Sequence, residues 1–192
     1  MPRIPYAKLE ESSQKIQDFF KKVTSNNLEI LNVHRMVAHS EASVREFVRM
    51  GSRLLTKPRL EPRYRELAIL RIAQLHGAEY EWAHHVPIAM QTGVTLEQIK
   101  DLANWKQSAL FDAREKTVLR YTEEVIRENQ PSDETFDAAS RFLDHPSLVE
   151  LTLSIGFWCM VAKFLRTFQV NIEESFAREH AALLKETGIP GA

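Results

Sequence analysis

PRYRELAILRIAQLHGAEYEWAHHVPIAMQT, residues 62–92, decides how the chain is read. Its apolar positions recur at helical spacing on both sides of Gly77, which predicts two helices joined at that glycine. On the first helix Arg63, Arg71 and Gln74 form one strip, whereas Glu66 falls in line with Ile69, Leu70 and Ala73. A carboxylate on such a face is paired, protonated or used, because burying a bare charge costs several kcal/mol at least. The second helix sets Glu81 and His85 at i, i+4, with His84 three residues from Glu81 on an adjoining edge. Pro87 removes a backbone donor and crowds the carbonyl of Ala83, so a kink is predicted beside the histidines.

Outward from this stretch, the patterning stays helical. Ser12 or Ser13 is placed to cap a helix through Phe20 and Val23, and Asn26-Asn27 marks a break. Val44, Phe47, Val48 and Leu55 repeat at helical spacing within 40–55. Thr95 with Gln98 reads as a capping box, Asp112 with Glu115 as the opening of a longer helix, and Ser132 as a further cap. The 104–111 segment reads as the longest loop, a candidate divider between two helical subdomains. An amphipathic run over 172–186 stops at Gly188 and Pro190. No window alternates with period two, so the predicted class is all-α, with roughly eight to ten helices and short connections. The expected organisation is one domain over 1–192, with an arm at 1–11, a core at about 40–170 and a last helix at 172–186.

Composition narrows the partners. The chain has 25 basic and 26 acidic side chains, a formal net charge of −1, 44% hydrophobic and 27% charged residues. That balance argues against nucleic acid or an anionic membrane as partner. The single cysteine, Cys159, excludes an intrachain disulfide and a CxxC redox pair. The first residues have no apolar signal core, and a cytoplasmic setting is expected. LVELTLSIGFWCMVAKFLRTF (148–168) approaches the length of a membrane span. Glu150, Lys163 and Arg166 interrupt it, however, so it reads as a core helix or an oligomer seam, with no membrane expected.

Taken on spacing alone, Glu81 and His85 are either a solvated i, i+4 pair or an acid that orients an imidazole for proton transfer. Adjacent histidines point about 100° apart, so His84 and His85 do not readily share a metal ion, and HExxH is absent. No metal site is expected. Trp82, Trp158, Phe157 and Phe164 read first as core or interface. Cys159 reads as a buried, inert thiol.

The string RELAILRIAQLHGAEYEWAHHVPIAMQTGVTLEQI (65–99), continued by FDAREKTVLRYTEEV and GFWCMVAKFLRTFQV, resembles the carboxymuconolactone decarboxylase family of the alkyl hydroperoxidase D-like superfamily. The resemblance implies an all-helical fold assembled as trimers or hexamers. The peroxidase branch carries a glutamate, CxxC and a histidine. Here the glutamate and histidine match Glu66 and His85, but the two cysteine positions fall on Ala78 and Glu81, which excludes thiol peroxidase chemistry by that route. By resemblance to the decarboxylase branch, Glu66, Glu81 and His85 are the expected catalytic residues, with His85 as proton donor, Glu81 as its orienter and Glu66 as a second acid. His84, Arg63 and Trp82 are the expected substrate-binding positions; Arg71 is an alternative to Arg63 for a substrate carboxylate. The implied activity is carboxy-lyase-like, without a cofactor, on a small carboxylate or lactone. The alternative is a non-catalytic oligomeric ligand-binding or scaffold protein that kept the fold.

Overall fold

The computed structural model describes residues 1–25 and 29–188. The break expected at Asn26-Asn27 and the stop at Pro190 lie outside the described residues. Among the described residues there are eleven α-helices and no strand: α1 (Gln14–Ser25), α2 (Asn32–Val37), α3 (Glu41–Thr56), α4 (Pro62–His76), α5 (Glu79–Gln91), α6 (Leu96–Lys100), α7 (Ala113–Glu128), α8 (Asp133–Ser140), α9 (His145–Phe168), α10 (Glu174–Glu179) and α11 (Ala181–Thr187). Single 3-10 turns lie at Leu9–Glu11 and Leu102–Asn104.

The all-α class follows from the local signals. Pro62 begins α4 at a position where its missing N–H loses no bond. Gly77 ends α4 with φ +58°. The amide of Ala78 donates to the Ala73 carbonyl (2.8 Å) and that of Gly77 to Gln74 (3.2 Å), a Schellman closure that turns the chain into α5. A Cβ at Gly77 would sit 2.5 Å from Nη1 of Arg166. That same guanidinium donates to the Gly77 carbonyl (2.6 Å), so α9 grips the bend. Thr95 and Gln98 form the expected capping box, and Asp112 and Glu115, expected to open a helix, form a second one. Ser132 caps α8 through the Thr135 amide, and Asp144 caps α9 through Ser147.

α4 is the central post. Every residue from Tyr64 to Ala73 is buried, and α5, α7 and α9 pack around it. Leu67, Ile69, Leu70 and Ile72 share one apolar cluster with Val86 of α5, Leu119 of α7, and Leu151 and Ile155 of α9. Trp105 and Phe111 belong to the same cluster. The 104–111 segment therefore does not divide the helices, because its apolar side chains anchor it to the core. A second cluster joins Ile16, Phe20, Val33, Met36 and Val44 of α1–α3 to Tyr80 of α5 and to Val161 and Leu165 of α9. The α1–α3 layer thus lies over the faces of α5 and α9 that α4 leaves uncovered.

α9 is long and apolar enough to cross a membrane by length and composition alone. Its Leu151–Ile155–Trp158–Ala162 face packs in the main cluster. Val149, Leu153 and Met160 on the opposite face are exposed. The 172–186 run divides at His180 into α10 and α11. α5 runs through Pro87 to Gln91 as one helix.

Candidate functional site

Glu66 is fully buried on α4, and its two oxygens point in two directions. Oε1 accepts from Nε of Arg65 (2.8 Å), whose guanidinium also donates to the Leu54 and Leu55 carbonyls. Oε2 accepts from Nδ1 of His85 on α5 (2.7 Å). Burial works against charge on Glu66, but His85 and then Arg65 outweigh it, so the carboxyl stays below its ordinary range. On the other side of the ring, Nε1 of Trp158 donates to Nε2 of His85 (3.0 Å), the two rings meeting edge to face. With an ionised acceptor on Nδ1 and a donor on Nε2, the geometry assigns the Nδ1–H tautomer. The chain Arg65–Glu66–His85–Trp158 is closed at both ends.

Glu81 is the orphan. It is 2% exposed, and neither carboxyl oxygen has a hydrogen-bond partner among the described residues. Burial alone pushes its pKa well above the usual carboxylate value, which favours the neutral carboxylic acid. It is not the orienter of His85, as the i, i+4 spacing suggested; Glu66, nineteen positions away, fills that role. Glu81, His84, His85 and Trp158 line a cavity of about 300 Å³ between α5, α9 and the α1–α3 layer. Its remaining walls are largely apolar, among them Val48, Leu55, Phe157 and Val161.

A second polar cluster adjoins that cavity through Tyr80 and His84. Glu173, which precedes α10, accepts from the Tyr80 hydroxyl (2.6 Å), from Nε2 of His84 (2.8 Å) and from the Asn32 amide (2.5 Å). Burial opposes the Glu173 charge, but the bonds from His84, Tyr80 and Asn32 bring its pKa down to about 2. Burial first, and then the adjacent Glu173 carboxylate, hold the Tyr80 phenol well above its usual value. His84 stacks on Phe176 with ring centroids 4.1 Å apart. His34, also on the cavity wall, accepts from the Leu31 amide (3.1 Å), and burial depresses it to about 4.

Among the expected site residues, Glu66, Glu81, His84 and His85 come together. Arg63 and Trp82 do not line the cavity. Arg63 is turned towards α6 and α7, where it donates to Glu115 (2.6 Å), Gln98 (2.8 Å) and the Gly93 carbonyl. Trp82, 2% exposed, sits in the main apolar cluster on the α4 side of α5, with no partner for its indole N–H among the described residues. Arg71 is bound by Glu123, which also accepts from Trp105. Burial raises the Cys159 thiol to about 11, with the nearby Glu81 as a second cause. Sequence reasoning missed Tyr80, Trp158 as the donor to His85, Glu173 and His34. No local spacing connects these residues. Among the described residues no three His, Cys, Asp or Glu side chains are grouped so as to hold a metal ion.

Residues 41–124 match the model described as the Carboxymuconolactone decarboxylase family. No curated protein matches the chain in sequence. Among solved structures, it resembles an alkylhydroperoxidase AhpD core, an uncharacterized peroxidase-related protein from Ralstonia eutropha JMP134, at TM-score 0.76 and 16% identity, covering 91% of this chain and 94% of that one. A peroxidase-related protein from Silicibacter sp. TM1040 gives TM-score 0.74 at 15% identity, covering 91% and 95%. A variant of the debrominase Bmp8, solved in complex with 2,3,4-tribromopyrrole, gives TM-score 0.76 at 14% identity, covering 97% and 100%. At these identities the likeness is one of fold.

Proposed function

We propose that this chain, whose residues 41–124 match the Carboxymuconolactone decarboxylase family and whose one cysteine leaves no CxxC pair, is a cofactor-free acid–base enzyme. Its substrate is a small lactone or carboxylated molecule, and its reaction is lyase-like rather than thiol-dependent. The observation that carries this reading is the neutral carboxyl of Glu81 in the cavity wall, unpartnered among the described residues. A group in that state donates a proton to a carbanion or enolate centre and stabilises the charge that develops there. His85 serves as a positioning residue: Glu66 fixes its ring, and its ring fixes the indole of Trp158 against the cavity. This is a different division of labour from the one the family resemblance implies.

The experiment is turnover of a panel of small lactones and lactone acids by wild type and Glu81→Gln. The variant keeps the shape of the side chain and cannot donate an acidic proton. A loss of about 10²–10⁴-fold in kcat with ligand binding retained is expected. A variant that turns over at the wild-type rate removes Glu81 from the chemistry.

A second reading, a non-catalytic ligand-binding or scaffold protein, is favoured by one observation. Both nitrogens of His85 are engaged by protein groups, leaving no free lone pair for a base. Wild type that binds members of the panel and turns over none selects it. In either case we place the protein in the cytoplasm. We also propose self-association through the exposed Val149–Leu153–Met160 face of α9, where Gly156 leaves open space for a second copy.

A further inference from the structure

α3 carries Arg45, Arg49 and Arg53 at successive i, i+4 positions, and Lys57 follows as its C-cap, all four exposed. Like charges at that spacing repel one another along the helix, with the Glu46–Arg49 pair and the last-turn position of Arg53 acting against this. Glu46, bonded to Arg49 (3.2 Å), is the one carboxylate in the groove that these four residues help to line. That groove shares Val23, Val48, Ser52 and Thr56 with the apolar cavity in front of Glu81. One turn of α3 therefore separates two unlike compartments. The inner one is largely apolar, with Glu81, three histidines and, at an exposed position, Glu29 on its wall, and the outer one is a basic rim.

We propose that the ligand is an amphipathic anion, with an apolar body in the inner cavity and a carboxylate or phosphate group over the Arg49–Arg53 rim. The basic side chains further in are already engaged: His84 is bonded to Glu173, both ring nitrogens of His85 are taken by Glu66 and Trp158, and burial keeps His34, which accepts from the Leu31 amide, neutral. The nearest buried guanidinium, that of Arg65, is spent on Glu66 and on two carbonyls of α3. Charge buried beside Glu81 would be uncompensated, so the anionic end stays at the rim, where water and the α3 cations share it. The apolar body supplies affinity, and the rim supplies orientation, presenting the inner end of the molecule to Glu81. The proposal rests on the acid–base reading only in taking this cavity as the ligand site.

Binding, measured by calorimetry on the full chain, separates the two ideas because it needs no turnover. The probes are hexanoate, octanoate and decanoate, each against the alcohol of equal length, at low and high salt. Each pair of added methylenes is expected to tighten binding about tenfold or more until the cavity is full. Octanoate is expected to bind about tenfold tighter than octanol at low salt, the sum of several weak exposed contacts, and to lose that advantage at high salt. Replacing the rim with Arg49→Gln and Arg53→Gln together should bring the two ligands within about twofold while leaving octanol unchanged. Glu81→Gln should leave the octanoate preference intact. Equal binding of acid and alcohol by wild type overturns the proposal, as does a preference that survives the rim variant, or binding of neither ligand. A confirmed preference with no turnover of any lactone or lactone acid would leave this inference standing and the enzymatic reading refuted.

Discussion

Replacing Glu81 by glutamine removes the one buried titratable group without a partner among the described residues, and the loss should be legible in the pH dependence of stability. Burial raises the folded pKa of Glu81 above the unfolded value, which is about 4.3. Between those two values the folded chain holds a proton that the unfolded chain has released. Wild-type stability therefore falls with rising pH across that window, by about 1.4 kcal/mol per pH unit. Below the window both states are protonated and the group contributes nothing; above it the penalty is constant. Glu81→Gln lacks the whole effect. Its amide, buried without a partner, carries instead a pH-independent cost of about 1–3 kcal/mol. The stability of the variant minus that of wild type should accordingly rise from about pH 4.3 upward at about 1.4 kcal/mol per unit, whatever the offset. In a chain of 192 residues this is about 3–6 °C in Tm per pH unit. Urea melts of both proteins in parallel, stepped from acid to mildly alkaline buffer, read the slope directly. Two curves that run parallel through neutral pH would refute the assignment, because they would mean that Glu81 is charged in the folded state and has found a partner.

Other consequences follow from the same contacts. Glu66→Leu leaves the Arg65 guanidinium buried without its carboxylate and should cost about 3–5 kcal/mol in urea unfolding at neutral pH. Because the folded pKa of Glu66 is depressed, its contribution is full above the unfolded value and is lost as pH falls through the folded one, so the gap to wild type should close in acid. Arg63→Ala breaks charged hydrogen bonds to Glu115 and Gln98 far from the cavity. It should lower stability by about 1.5–3 kcal/mol while KM for any turned-over ligand stays put, and a raised KM would restore Arg63 to the site. Cys159→Ser should leave turnover unchanged, since burial holds the thiol protonated up to about 11; lost activity in a folded variant would contradict that inert role. Leu153→Lys, on the exposed face of α9, should reduce the mass seen by light scattering, and a wild-type monomer would refute association.

What the sequence discloses and what it hides divide along contact distance. The capping box at Thr95, the helix start at Asp112, the cap at Ser132 and the bend at Gly77 depend on residues a few positions apart, and all four are readable from the string. Glu66 and His85 are visible as candidates, but their bond spans nineteen positions across the α4–α5 hairpin. The i, i+4 rule points instead to Glu81, whose side chain faces the cavity rather than the imidazole. Arg63 and Arg71 are read as candidate holders of a substrate carboxylate, and nothing nearby in the string shows that either is already paired. Glu115 and Glu123, each 52 positions away, supply their partners. The Glu173–Tyr80–His84 cluster is less accessible still, since it needs α10 folded back over α5. The basic stripe on α3 is plain in the string as a period of four. Its meaning depends on the cavity behind it, which exists only once α1–α3 have packed over α5 and α9.

The protonation state of Glu81 can be observed without knowing the substrate. Carbon-detected NMR of side-chain carboxyls, on wild type and on Glu81→Gln at neutral pH, separates a protonated glutamic acid from ionised glutamates. One carboxyl resonance at the protonated position in wild type, missing in the variant, is the predicted result. A wild-type spectrum in which every glutamate is ionised at neutral pH would contradict the claim that a neutral acid waits in the cavity, and with it the acid–base function.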